Sequence, residues 1–354
     1  MWVTPPSAPG ASPKRCVTPW RLPNADAKPS SRPPQLQAAL SQPLDSVDLS
    51  AFGQTVRGKV RDMALSPGRR VLVTTDRLSA FDRVIGLIPY KGQLLNQLAA
   101  FWFERTNDIL PNHVFALPDP NVTIAREAQP LPVEVVVRRH ITGVTSTSLW
   151  TLYKAGVSRP YGLSLPAGLQ KNERLAEPVI TPTTKAEAGG HDAPLSELEL
   201  LKQGLVGPEL WEEARDAALR LFARGEALAA QAGLVLVDTK YELGLLDGRL
   251  SIIDEIHTPD SSRYWLAEGW EQAVAEGREP EGLDKEYVRR WLASMGYSGD
   301  GPPPPLPDSV RVELSRRYLQ AFEGLTGQTF EPAELPAAPR ILHNLAAWSA
   351  QGAS

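Results

Sequence analysis

A chain of 354 residues, 42% of them apolar, can bury a sizeable core and has room for two domains or two lobes around one cleft. A net charge of −4 weighs against a nucleic-acid binder relying on bulk electrostatics, and no apolar run is long enough for a transmembrane helix. The single cysteine, Cys16, excludes an intramolecular disulfide and a cysteine zinc site.

Residues 1–45 are rich in Pro, Ser and Ala, carry little periodicity, and read as a disordered extension. The expected compartment is the cytoplasm; a plastid would follow only if residues 1–45 were a transit peptide, and their Pro density argues against the amphipathic helix such peptides form. Residues Gly58–Leu65 read as a strand, Ser66-Pro67-Gly68 as its turn, and Arg70–Asp76 as the returning strand. Asp76–Asp82 is expected to be a polar loop. From Gly92, apolar residues Leu94, Leu95, Leu98, Phe101 and Trp102 have helical spacing. Val133–Arg138 is a β-branched strand ending on basic residues, and residues 164–194 look loop-rich. Leu210–Ala232 is a long amphipathic helix stopped by Gly233, with Trp211, Ala214, Ala218, Leu221, Phe222 and Leu228 as its buried stripe. Asp284–Met295 and Val310–Leu325 read as two more helices, and residues 331–354 as a tail. Hairpins mixed with packed helices indicate an α+β chain with an N-terminal lobe over residues 46–132 and a C-terminal lobe over 133–330.

The most informative stretch is Leu234–Trp265. Asp238, Lys240 and Glu242 alternate after an apolar run, so a strand would set them on one face about 7 Å apart. A core strand has no use for three charges on one face; metal and phosphate chemistry does. Asp247-Gly248 marks a hairpin, and its register decides where Asp254 points. A two-residue loop pairs Glu242 with Ile253. A three-residue loop, Asp247-Gly248-Arg249, places Asp254 opposite Glu242 and is the register expected here. Two facing carboxylates would then suit Mg²⁺.

Other segments carry weaker signals. Gly53 to Lys59 has P-loop spacing, but Val60 replaces the metal-binding hydroxyl and the following residues read as strand. The other use of such a segment is a turn laid over ATP, with Lys59 and Arg61 sharing a strand face. Arg138 and Arg139 precede the hydroxyl-rich Gly143–Ser148 turn, which suits a phosphomonoester or merely caps a helix through Ser148. Thr181–Lys185 through Gly189-Gly190-His191-Asp192 suits a lid over a nucleotide, or an ordinary surface loop. His257 lies near the charged hairpin and reads as structural.

These segments together resemble one family, the SAICAR synthetases (phosphoribosylaminoimidazole-succinocarboxamide synthases). The resemblance rests on GKVRD at 58–62, TDRLSAFD at 75–82, EVVVRRHITG at 134–143, TPTTKAEAGGHD at 181–192, VDTKYELG at 237–244 and DEIHTPDSSRYW at 254–265, in family order. It implies the two-lobed ATP-binding α+β fold of that family. It also implies an ATP- and Mg²⁺-dependent ligase joining L-aspartate to the carboxylate of carboxyaminoimidazole ribonucleotide. Carried over by residue, Lys59 and Arg61 would hold ATP phosphates, Glu134 would lie near the adenine, and Lys185 and Asp192 would belong to the lid. Arg138 and Arg263, with Ser262 and Ser148, would face the ribonucleotide phosphate. Asp238 and Lys240 would contact the imidazole substrate, and Glu242 and Asp254 would bind Mg²⁺. Two departures stand out. Val144 occupies the place of a family Ser, so phosphate contact falls to Thr145, Ser146 or Ser148; Leu243 replaces a family Phe. The expected partners are small molecules alone, with no nucleic acid and no membrane; a homo-oligomer stays open. A kinase-like phosphotransferase using the same cleft is the competing reading.

Overall fold

The computed structural model describes residues 33–185 and 193–352. Helix α1 (Pro33–Ala39) precedes a meander of β1 (Gln54–Arg57), β2 (Arg61–Ser66) and β3 (Arg69–Thr74). A separate hairpin of β4 (Arg77–Ala80) and β5 (Arg83–Leu87) leads into α2 (Lys91–Thr106). Strands β6 (Val114–Asp119) and β7 (Val122–Arg126) then complete an antiparallel sheet of order β1-β2-β3-β7-β6. The chain continues through β8 (Gln129–His140), α3 (Leu149–Lys154), β9 (Arg174–Ile180), β10 (Thr183–Thr184), α4 (Glu197–Lys202), α5 (Pro208–Gln231), β11 (Leu234–Leu246), β12 (Arg249–Ile252) and β13 (Ser262–Leu266). These strands form the second sheet, β10-β8-β11-β12, with β9 on β8 and β13 on β11. Helices α6 (Trp270–Ala275), α7 (Glu286–Ser294), α8 (Asp308–Thr326) and α9 (Ala337–Gly352) follow.

The main core lies on the inner face of the second sheet. Val133, Val135 and Val137 of β8 and Tyr241 and Leu243 of β11 pack with Trp211, Ala214, Ala218, Leu221 and Phe222 of α5, together with α2, α7 and α8. Leu228, expected in that stripe, is half-buried. The α5–β11 packing leaves no room at Gly225, where a methyl group would meet His257 Cε1 at 2.5 Å and Leu236 Cδ2 at 2.7 Å. We therefore expect Gly225→Ala to destabilise the protein by about 1–3 kcal/mol through overpacking, despite alanine's better helix propensity. Denaturant unfolding is the check, and an unchanged midpoint would refute it.

Five expectations are corrected. First, the strand drawn through Gly58–Leu65 is broken at 58–60, so Lys59 and Arg61 do not share a strand face. The cause is Arg77, which is 2% exposed. Its Nε and Nη2 donate to the carbonyls of Lys59 (3.0 Å) and Gly58 (3.1 Å), and Nη2 also binds Asp62 at 2.8 Å. Second, the 76–82 loop is hairpin β4–β5, since that same arginine pins its first residue. Third, the 164–194 stretch contains β9 and β10, which pair with β8.

Fourth, the β11–β12 turn has the two-residue register. Asp247 and Gly248 both hold positive φ (51° and 75°), Leu246 pairs with Arg249, and Ile253 N donates to Glu242 O at 3.1 Å. Two left-handed residues make a type I′ turn, whose twist matches the strands. Asp254 is therefore not opposite Glu242; it lies just past the end of β12. Fifth, the ends are built into the structure where described. Leu36, Ala39 and Leu44 are buried, although they fall within the stretch read as a disordered extension. Helix α9 lies within the presumed tail, yet its Ala337, Ile341 and Leu345 form one core with Val71, Val73, Val122 and Ile124 of the first sheet.

Candidate active site

Strand β11 has two faces with opposite chemistry. Val237, Tyr241 and Leu243 enter the core, while Asp238, Lys240 and Glu242 face away from it. Neighbouring strands add charge to this second face by register: Arg138 pairs with Asp238, and Glu134 with Glu242, across β8. On the other edge Arg263 pairs with Asp238 and Ser262 with Thr239, after a bulge between Leu236 and Asp238. Bulges re-aim side chains next to sites.

At one end of the row sits a buried arginine pair. Arg138 Nη1 lies 3.1 Å from Asp238 Oδ2, and Arg263 binds the same oxygen. Arg138 Nε donates to Thr181 Oγ1 at 2.8 Å, and Arg263 Nε faces Glu286 Oε2 at 3.4 Å. Burial works against the Arg263 charge, but Asp238 and Glu286 outweigh it and hold its pKa above the usual value. The 143–148 turn closes this end. Gly143 has φ +104°, and a Cβ there would collide with Ser148 Oγ at 2.3 Å and come within 3.0 Å of Arg263 Nη2. Ser148 precedes α3, as expected, but its hydroxyl does not cap that helix. It accepts from Thr145 N at 3.0 Å and lies 2.8 Å from Thr145 Oγ1. Ser262 Oγ lies 2.7 Å from Thr239 Oγ1.

The other end is a lysine–carboxylate cluster. Lys240 Nζ donates to Glu134 Oε1 at 2.7 Å and also contacts Glu242, and Lys185 Nζ donates to Glu242 Oε2 at 2.7 Å. Thr183 Oγ1 donates to Glu134 Oε2 at 3.2 Å. Burial opposes the Lys240 charge, yet Glu242 and Glu134 raise its pKa above the ordinary lysine value. Burial pushes the Glu242 carboxyl up, and Lys240 and Lys185 reverse this and bring it below the usual range. Both groups are thus charged at neutral pH.

Beyond β12, Asp254 pairs with Arg61 of β2, which also reaches Glu255 at 3.8 Å. Burial raises the Asp254 carboxyl, Arg61 opposes it, and Glu242 adds to it, so the two carboxylates feel one another although they are not a cross-strand pair. No group of three or more His, Cys, Asp or Glu suited to a metal occurs among the described residues. Mg²⁺ asks for less: one or two carboxylates, with water and phosphate completing its shell. The hard oxygen donors Glu242 and Asp254 fit that demand.

The structure thus gathers Arg138, Asp238, Arg263 and Ser148 at one end, and Glu134, Lys185, Lys240, Glu242, Asp254 and Arg61 at the other; Ser262, paired with Thr239, turns to the opposite face of β11 and does not join the arginines. Lys59 does not join them: it sits on the β1–β2 turn, more than half exposed, and pairs with Asp82 at 2.7 Å. Asp192, with the Gly189-Gly190-His191 part of the expected lid, lies outside the described residues. His257 is structural, as read. It is fully buried, its Nε2 meets Tyr241 Oη at 2.5 Å, and burial lowers its pKa to about 3. Sequence reading gave no role to Glu255 or Glu286, and took Thr181 and Thr183 only as part of the lid segment. Only the threonines left a signal, their i, i+2 spacing beside a strand.

The SAICAR synthetase family model matches residues 54–304. The phosphoribosylaminoimidazole-succinocarboxamide synthase of Legionella pneumophila strain Lens is 48% identical over 84% of this chain and 96% of its own. A SAICAR synthase from Saccharomyces cerevisiae, solved in complex with SAICAR, superposes with a TM-score of 0.69 at 28% identity, over 82% of this chain and 100% of that one. A SAICAR synthetase solved in complex with ADP shares the fold, with a TM-score of 0.60 at 22% identity, over 79% and 100%. With its two-sheet α+β fold, this chain belongs to the SAICAR synthetase family, the ligases that make SAICAR in purine biosynthesis.

Proposed function

We propose that this enzyme joins L-aspartate to carboxyaminoimidazole ribonucleotide at the expense of ATP, through an acyl phosphate. The observation that carries the reading is the two-ended charge row on β11. Asp238 with its two arginines marks one end, Glu242 with Lys185 and Lys240 the other, and about 13 Å of strand separates them. A ribonucleotide has a phosphate at one extremity and a carboxylate at the other, and such a row matches both.

In this reading Arg138 and Arg263 grip the 5′-phosphate by forked donors, and Asp238 holds the two guanidinium groups in register. Ser148 supplies a hydroxyl beside them. That assigns the duty of the missing serine at Val144 to Ser148, whose Oγ occupies the space over Gly143. Arg61 and Lys185 face the ATP phosphates, with Glu134 at the strand junction between the two sheets. Lys59, exposed on its turn, would reach the nucleotide only from the rim. Mg²⁺ held by Glu242 and Asp254 would neutralise phosphoryl charge. A carboxylate oxygen of the substrate attacks the γ-phosphorus and ADP leaves. The aspartate amine then attacks the acyl carbon, the C–O bond to phosphate breaks, and the amine loses its proton. Lys240, held charged, stabilises the oxygens on which negative charge develops. The protein needs no nucleophile of its own; it supplies placement and fixed charge.

ADP release from Mg-ATP and carboxyaminoimidazole ribonucleotide, followed with and without L-aspartate, tests the proposal. ADP and succinocarboxamide formed in equal amounts, only with aspartate present, is the expected result. ADP formed at an unchanged rate without aspartate would replace the ligase with the phosphotransferase reading.

A further inference from the structure

A second set of buried charges lies behind the site. Lys91, the first residue of α2, has a side chain with 0% exposure. Its ammonium finds no hydrogen-bond acceptor among the described residues, and its nearest counter-charge is Asp260 Oδ2 at 3.6 Å. Asp260 also faces Lys285 Nζ at 3.6 Å and accepts from the Tyr318 hydroxyl at 2.9 Å. Glu255 and Asp76 add negative charge around Lys91, and Lys285 adds positive. An ammonium taken out of water is costly, and an apolar side chain of similar length would pack there without that cost. The stability of the fold does not account for the charge.

Its partner's position does. Asp260 lies in the segment that starts with Asp254 and ends with Ser262 and Arg263. The stretch is a tight turn, with Ser261 N and Ser262 N both donating to Thr258 O at 3.2 and 2.9 Å. Three cations from outside the second sheet hold it: Arg61 of β2 takes Asp254, while Lys91 of α2 and Lys285, just before α7, both face Asp260. A cavity of about 20 Å³ lies between Arg61, Asp254 and Glu255 on one side and Asn96 and His113 on the other, at the start of this segment.

We propose that Lys91 is a positioning residue for the ligase reaction: through Asp260 it sets the seat of the 254–263 segment, and with it the placement of Asp254 and Arg263 against β11. The inference rests on the ligase reading above. It is tested with Lys91→Met, Asp260→Asn and the double variant. For each, the saturated rate per folded molecule, the KM for every substrate and unfolding in denaturant are measured. We expect each single variant to fold and to lose roughly 10- to 100-fold in kcat, as small misplacements do. The KM for the ribonucleotide, which Arg263 grips, should rise as well, while the KM for L-aspartate should stay within about threefold, and the double variant should be no slower than the slower single one. Unchanged kcat with reduced stability would make the pair purely structural and overturn the proposal. Additive losses would show that the two residues act separately and would overturn it too. If Lys91→Met fails to fold, the isosteric Asp260→Asn decides; failure of both to fold also overturns it. An inactive wild-type enzyme would instead strike at the ligase reading, which the ADP assay tests separately.

Discussion

Glu242→Gln should leave the fold intact and lower kcat on the order of 10²–10³-fold. The substitution keeps the side-chain volume and removes one charge from a carboxylate that two lysines share. Glu242 balances Lys240 and Lys185 together, and its field reaches Asp254. With Gln, Lys240 keeps Glu134 as its partner, so the strand face has a remaining counter-charge and the variant should fold. The proposed Mg²⁺ pair is reduced to Asp254, which is already engaged by Arg61. The rate loss should therefore be accompanied by a higher Mg²⁺ requirement, read by titrating Mg²⁺ at fixed ATP. Turnover at the wild-type rate with an unshifted Mg²⁺ curve would remove Glu242 from the metal assignment.

Asp238→Ala is expected to act on both stability and binding. Asp238 is 4% exposed and neutralises two arginines, one of them 6% exposed. Removing one partner of a buried ion pair leaves uncompensated charge, at a cost of about 3–5 kcal/mol. Here Thr181 and Glu286 still hold one donor each of Arg138 and Arg263, which favours the lower part of that range. Denaturant unfolding measures the loss. The proposed role adds a second signature: inorganic phosphate or the ribonucleotide should restore part of the lost stability by supplying the missing negative charge. A variant as stable as the wild type, or one indifferent to phosphate, would contradict the arginine-clamp reading.

What could be read from the residues was whatever is local and periodic. The alternation of Asp238, Lys240 and Glu242 after an apolar run is a period-two signal, and the structure sets all three on one strand face. The stripe of α5 is a period-3.6 signal, and α7 and α8 were visible for the same reason. What escaped depends on partners far along the chain. Arg77 looks like a loop residue until its guanidinium is seen among the carbonyls of Gly58 and Lys59. The β11–β12 register turned on a single residue of loop length, which Asp-Gly alone does not decide; φ angles do. Asp254 still reached the site, because the strand ends there and Arg61 of the other sheet captures it. Glu286 and Asp260 had no spacing signal at all, since each meets its site partner only after the helices pack.

Helix α9 covers the sheet that the chain builds first. Arg340 Nε binds Asp119 Oδ2 at 3.0 Å, Asn344 donates to the same oxygen at 2.7 Å, and Ile341 and Leu345 are fully buried against β3 and β7. The strands at 54–126 leave the ribosome long before residue 337 is made. At ordinary synthesis rates the gap is roughly 10–40 s. Throughout that interval the apolar face of the nascent sheet has only Leu44, Leu49 and their neighbours for cover. The order of synthesis therefore makes the last helix the closing step of the first sheet.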